Sequence, residues 1–129
     1  MSEKKRILVV DDEPDFCSIV QANLEKEGFE VEVAYDGMDG LEKVKANPPD
    51  AIVLDVIMPE KDGYEVCAEL KADKRYADIP ILMLTAVASR VSTTRYSHRE
   101  GMSMEAEDYL PKPASAEQIM ESVKRLLNL

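Results

Sequence analysis

The stretch Ala51-Ile-Val-Leu-Asp-Val-Ile-Met-Pro59 constrains this chain more than any other. Four apolar residues run straight into Asp55, and a proline follows four positions later. A short continuous apolar run bounded by turn signals reads as a strand buried on both faces, as in a parallel sheet. Pro48 and Pro49 forbid a helix continuing into the run, and Pro59 fits a loop after it. Asp55 then stands at the carboxyl end of a buried strand, where open α/β sheets bind their ligands.

The rest of the chain repeats that grammar. Ile7-Leu-Val-Val10 closes a first buried strand, from Lys5, and runs into Asp11-Asp12-Glu13-Pro14-Asp15. Pro14 suits a first helical turn, and the acids around it suit a helix N-terminus and its dipole. Phe16, Val20 and Leu24, with Ile19 beside them, form an apolar stripe that Gly28 stops. Phe29 to Ala34 alternates polar and apolar, a strand with one better-buried face. Asp36-Gly37 is a turn, and Met38, Leu41 and Val44 give a second helical stripe ending at Asn47-Pro48. Beyond Asp55, Asp62-Gly63 turns the chain into a third helix, Gly63 to Ala72, with Val66, Cys67 and Leu70 inward. Ile81 to Thr85 is a fourth buried run, and Asp108 to Leu110 a short fifth strand before Pro111-Lys112-Pro113. A last amphipathic helix starts at Ser115, with Ile119, Val123, Leu126 and Leu127 on its apolar side; Gln118 three residues after Ser115 completes a capping box.

Strand followed by helix, five times over, predicts an α/β fold: one doubly wound, five-stranded parallel sheet with helices on both faces. At 129 residues this fills one domain, residues 1–129, with no internal repeat or linker. A net charge of −10 argues against direct nucleic-acid binding, which needs a basic face, and disfavours anionic membrane surfaces. The N-terminal apolar run is too short for a signal peptide or a spanning helix. Two distant cysteines, Cys17 and Cys67, read as small reduced hydrophobes of a cytoplasmic protein.

The residues that close each strand carry the chemistry: Asp11-Asp12, Asp55, Thr85 and Lys112. In a parallel sheet these ends share one edge. Three carboxylates converging there repel one another unless a cation shares them. With oxygen ligands only, a hard divalent ion is implied, and Mg²⁺ suits a site that also handles phosphate; Mn²⁺ could substitute. A hydroxyl and an ammonium beside the acids would supply a hydrogen-bond donor and a counter-charge for a bound anion. Phosphoryl transfer uses all of these, with a carboxylate nucleophile forming an acyl phosphate. Singly, each residue has a plainer role: capping acids, a β-branched strand residue, a surface lysine. Their occurrence together and in this order is what points to a site.

At these residues the chain resembles a response-regulator receiver domain of two-component signalling. The matching motifs are Ile7-Leu-Val-Val-Asp-Asp-Glu-Pro14, Ile52-Val-Leu-Asp-Val-Ile-Met-Pro59 with Asp62-Gly63, Leu84-Thr-Ala86 and Asp108-Tyr-Leu-Pro-Lys-Pro113. The resemblance implies a flavodoxin-like (βα)5 sheet of strand order 2-1-3-4-5. It implies that Asp55 accepts a phosphoryl group from a phosphohistidine of a sensor histidine kinase or phosphotransfer protein. Asp11 and Asp12 would hold Mg²⁺ with Asp55 and the backbone carbonyl of Ile57, and Thr85 and Lys112 would grip the phosphoryl oxygens. Tyr109 would be an aromatic switch coupled to Thr85, and the Lys112–Pro113 bond is expected to be cis. The chain would be a stand-alone regulator or an excised receiver with no output domain of its own. It would be no enzyme beyond its own phosphotransfer and dephosphorylation, and would signal through a downstream effector protein by shifting a two-state equilibrium. Ile57 and Val87, two beyond Asp55 and Thr85, would slow loss of the acyl phosphate by excluding water, and the small Ala86 leaves room for it.

Two other readings compete. A phosphatase or mutase of the haloacid dehalogenase type also forms an aspartyl phosphate, but it carries a second aspartate two residues on, where Ile57 stands, and its nucleophile is on the first strand. A receiver-like interaction module that is never phosphorylated should have lost one of the five residues, and all are present. The chain departs from the family between Thr85 and Lys112, about five residues longer than the usual spacing, with Glu105-Ala106 in place of Gly-Ala. Arg90, Arg95 and Arg99 make a basic island there, either a solvated, lengthened loop beside a shortened fourth helix or a partner-docking surface. His98, with no ligand spacing, is expected to be exposed and inert.

Overall fold

The computed structural model describes residues 4–58, 61–85 and 106–129. Five strands, β1 (Arg6–Val10), β2 (Glu30–Ala34), β3 (Ala51–Asp55), β4 (Ile81–Thr85) and β5 (Asp108–Pro111), form one parallel sheet in the order β2-β1-β3-β4-β5. Four helices are described with them: α1 (Pro14–Lys26), α2 (Gly37–Ala46), α3 (Gly63–Lys71) and α4 (Ala116–Leu126). The helix expected between Thr85 and Asp108 lies outside the described residues, as do Pro59, Ala86, Val87, His98 and the basic island.

Strand alternation divides the interior into two cores. Leu8, Val10, Ile52, Leu54, Ile81 and Met83 face one way, onto Leu41 and Val44 of α2 and Val66, Cys67 and Leu70 of α3. Ile7, Val9, Ala51, Val53, Leu82 and Leu84 face the other, onto Cys17, Val20 and Leu24 of α1 and Ile119 and Val123 of α4. Every residue of β3 is buried, because β3 is central and both its faces are covered. The edge strand β2 is less enclosed: Val31, Glu32 and Val33 are all half-buried.

Two residues placed in apolar stripes turn outward. Ile19 is 57% exposed, because α1 buries the face carrying Cys17, Val20 and Leu24, and Ile19 lies on the far side. Met38 is 51% exposed, because α2 sits on the sheet by way of Gly37, Gly40, Leu41 and Val44. Gly37 permits that approach: a Cβ there would lie 2.5 Å from the Lys61 carbonyl oxygen and 2.9 Å from Val66 Cγ2.

The two Asp-Gly pairs do the same job. Each aspartate caps a helix and each glycine is its first residue. The Asp36 carboxylate accepts from the Asp39 N–H at 2.8 Å. Asp62 accepts from the Glu65 N–H at 2.9 Å while Glu65 reaches back to the Asp62 N–H at 3.1 Å. The capping box at Ser115 and Gln118 opens α4 as expected.

Gly63 ties α3 to the strand that ends in Asp55. Its N–H donates to the Val56 carbonyl at 2.9 Å. A Cβ at Gly63 would press on the Asp55 carbonyl oxygen and lie 2.8 Å from Val56 Cα. Both obstacles are backbone, which yields only by moving the loop below Asp55. Gly63→Ala should therefore destabilise the fold by about 1–3 kcal/mol, measured as a lowered denaturant midpoint; an unchanged midpoint would show that α3 is free to shift.

Candidate functional site at the carboxyl edge of the sheet

Strand register brings the polar residues level. Val10 pairs with Leu54, so Asp11 and Asp55, each one residue further, stand side by side. Asp55 pairs with Leu84, and Thr85 pairs with Pro111, so Lys112 follows on the next step. Local hydrogen bonds hold these ends: Asp11 N–H to the Ala34 carbonyl (3.1 Å), Val56 N–H to Leu84 (3.0 Å) and Lys112 N–H to Thr85 (3.0 Å). By alternation, Asp11, Asp55 and Lys112 share the α1/α4 side of the sheet, whereas Thr85 counts with Met83 on the other.

Asp11 is fully buried and Asp55 is 2% exposed, while Asp12 faces solvent. Ligand oxygens of these three lie within 4.8 Å of one another. The Lys112 ammonium sits 3.3 Å from Asp11 Oδ2, 3.5 Å from Asp55 Oδ1 and 4.0 Å from Glu13 Oε1. Asp11 is further fixed by the Glu13 N–H, which donates to its Oδ1 at 3.0 Å, and by the Cys17 thiol, which donates to its backbone carbonyl at 3.3 Å. Asp55 Oδ1 is the exception: it is buried and has no hydrogen-bond partner among the described residues. Lys112 attracts it as a charge, not as a well-placed donor.

The electrostatics follow from burial. Loss of water pushes the Asp55 carboxyl up to about 6, with the neighbouring Asp11 charge pushing the same way and Lys112 opposing. Burial likewise raises Asp11, against the Glu13 N–H and the Lys112 charge. For Lys112, burial disfavours the charge, but the Asp55 and Asp11 carboxylates more than offset it and the ammonium is held above its usual range. Burial also drives the Cys17 thiol up to about 11, beyond any nucleophilic role at neutral pH. Both cysteines are buried and neither is in a disulfide.

Such a site suits a cation. Two buried carboxylates and one exposed carboxylate share a single lysine, their donors are all oxygen, and one buried oxygen lacks a partner. The cluster Asp11, Asp12 and Asp55 could hold a metal ion.

The other predicted residues are nearby, with different partners. The Thr85 hydroxyl donates to the Leu110 carbonyl at 3.4 Å. Tyr109 is half-buried against the α2/α3 core, and its hydroxyl accepts from the Ala106 N–H at 3.0 Å. The Lys112–Pro113 bond is cis, as expected. Ile57 is 63% exposed, so its side chain lies on the surface just beyond β3. Three neighbours went unassigned in the sequence. Glu13 faces Lys112, Cys17 anchors the Asp11 backbone, and the Phe16 ring centre lies 5.2 Å from the Lys112 Nζ. Only the position of Phe16 and Cys17 one turn after the acid pair hinted at this, and both also fit an ordinary core stripe.

Comparison with known proteins places the chain in a family. The sequence profile of the response regulator receiver domain matches residues 7–124. The chain is 40% identical over 122 residues to the DNA-binding dual master transcriptional regulator RpaA of Synechocystis sp., covering 95% of this chain and 48% of that protein. It is 42% identical over 123 residues to the alkaline phosphatase synthesis transcriptional regulatory protein PhoP of Bacillus subtilis, with the same coverage, 95% and 48%. The chain thus spans about half the length of these regulators. Among solved structures, the signal receiver domain of a signal transduction histidine kinase from Syntrophus aciditrophicus superposes with a TM-score of 0.84 at 31% identity, covering 96% of this chain and 90% of that one. The chemotaxis response regulator CheY4 of Vibrio cholerae superposes at 0.83 and 30% identity, covering 96% and 99%. Among the described residues no helix is long and apolar enough to cross a membrane. With its strand order, its acid cluster and its matched motifs, the chain belongs to the response regulator receiver domain family.

Proposed function

We propose that this receiver is a switch set by phosphorylation of Asp55. The observation that carries the reading is the Asp55 carboxylate itself, buried, with an oxygen lacking a hydrogen bond and a lysine 3.5 Å away. Its pKa of about 6 leaves it mostly ionised at neutral pH, so it keeps a lone pair for attack. An Asp55 oxygen would form a bond to the phosphorus of a phosphohistidine as the P–N bond breaks, and the leaving pair would stay on the imidazole. The donor would be a sensor histidine kinase or a phosphotransfer protein.

Asp11, Asp12 and Asp55, with the Ile57 carbonyl, would hold Mg²⁺, and Mn²⁺ could replace it. When bound, the ion would supply positive charge against the oxygens of the transferred group. Lys112, already between Asp11 and Asp55, would turn to the phosphoryl oxygens. The Thr85 hydroxyl would leave the Leu110 carbonyl for the same oxygens, and Tyr109 would move with it, altering the surface a partner meets. Ile57, and Val87 beyond the described residues, would slow hydrolysis by keeping water away. Nothing in this scheme turns over a separate substrate: the chemistry is the protein's own phosphorylation and dephosphorylation. The output would lie with a downstream effector, or with an attached domain in a longer protein, a reading supported by transcriptional regulators about twice this length. Two cysteines outside any disulfide accord with a cytoplasmic setting.

Three measurements test this. Intact mass after mixing with a small-molecule phosphodonor and Mg²⁺ should show one added phosphoryl group, absent in Asp55→Asn and after chelation. No adduct, under conditions that modify a proven receiver, would favour a module that only binds.

Mg²⁺ at a hundred times its Kd should stabilise the protein by about 2.7 kcal/mol. Its affinity should fall as pH drops below about 6, where Asp55 binds a proton that competes with the ion. A pH-independent affinity would place the ion elsewhere.

The third concerns stability without metal. The folded-state pKa of Asp55 lies above its ordinary 3.8, so the folded state binds the extra proton between 3.8 and about 6. Stability therefore declines as pH rises through that window, and the deficit persists above it. Asp55→Asn should then be more stable than the wild type at pH 7 by on the order of 1–3 kcal/mol, with the gap closing near pH 4. A less stable variant at pH 7 would show that the Lys112 attraction outweighs the burial penalty.

A further inference from the structure

The reaction scheme uses Lys112 but leaves open what keeps its ammonium at the acceptor. Three carboxylates lie within 4.0 Å of it, and one of them, on Glu13, is mostly exposed. The ammonium sits on a flexible four-carbon stem, so a swing toward Glu13 would carry it into water and away from Asp55. The Phe16 ring also lies against this ammonium, its centre 5.2 Å from Nζ. That distance is within the range over which a ring face attracts a cation. Phe16 itself is half-buried and packs against the α1/α4 core, and α1 is anchored below it by Val20 and Leu24. The ring is therefore a fixed wall and not a mobile surface group.

We propose that Phe16 is a positioning residue for the phosphorylation chemistry: its ring holds the Lys112 ammonium at Asp55 and away from Glu13. The ring face is an attractive surface with no preferred hydrogen-bond direction. The ammonium is thus free to slide from the carboxylates to new phosphoryl oxygens while staying shielded from water. A carboxylate or carbonyl at the same place would tether it through a directed bond instead. This inference rests on the proposed role of Asp55 and Lys112.

The test compares wild type, Phe16→Leu and Phe16→Tyr, each alone and with Lys112→Met. A small-molecule phosphodonor serves as probe, so that contacts with a donor protein do not enter. Two readouts are taken: the rate of Asp55 phosphorylation, and the NMR shift of the Lys112 side-chain methylenes, which a ring face moves upfield. In wild type and Phe16→Tyr the methylenes should be shifted and the rates should agree within about twofold. Phe16→Leu should lose the shift and react about two- to five-fold more slowly, the size that a solvent-accessible cation–π contact supports. The same change should have no effect once Lys112 is methionine. A Phe16→Leu rate equal to wild type, or an equal loss in the Lys112→Met background, would overturn the positioning role even with phosphorylation intact. If the wild type takes up no phosphoryl group, the functional reading fails and the positioning role falls with it. The methylene shift would then still report whether the ring holds the ammonium.

Discussion

Two carboxylates, Asp11 and Asp55, are withdrawn from water side by side at the edge of the sheet, with one ammonium shared between them. Burial disfavours the charge on each, which raises both above the ordinary carboxylate range. Most of the surrounding construction serves to keep them there. The Ala34 carbonyl, the Glu13 N–H and the Cys17 thiol pin Asp11. Asp55 is carried by the central strand, and the helix after it is seated against its backbone through Gly63. A protein selected for stability alone would have an apolar pair at these positions. An under-neutralised, buried acid cluster of this kind could hold a cation.

Parallel strand order turns this local tension into a site. All five strands leave the sheet at the same edge, so residues far apart in the chain end within a few ångströms, Lys112 and Asp11 among them, 101 positions apart. The two cores under this edge differ in what they hold. The α1/α4 side supports Asp11, Asp55 and Lys112, while the α2/α3 side supports Tyr109. Thr85, reaching β5 through the Leu110 carbonyl, stands between the chemistry and the aromatic residue whose hydroxyl is held by Ala106.

How far this was legible in the chain varies by feature. The five strands and the described helices stand where apolar runs and helical stripes put them, because a buried parallel strand needs uninterrupted apolar residues. The acid cluster was legible too, since Asp11 and Asp12 come just after β1, Asp55 closes β3 and Lys112 comes just after β5. The misreadings came from helix faces. Ile19 and Met38 fit a stripe by spacing, yet both point outward. In α1 Cys17 takes the inward position, and in α2 two glycines do; a thiol and a missing side chain are weak signals of burial. The partners of Thr85, Tyr109 and Cys17 were not legible at all, because a hydrogen bond depends on orientation and not on residue type.

The sequence by itself determined the order of elements, the chemistry available at the strand ends and the helix starts, since these depend on local apolar patterning and on Asp, Ser and Gly at caps. The tertiary structure alone decided how far the acids are buried and that one Asp55 oxygen lacks a hydrogen bond. It also decided that Phe16, one turn from the acid pair, turns its ring to a lysine from the other end of the chain. Burial and contact are sums over all neighbours in space, and those neighbours come from segments that no local pattern relates.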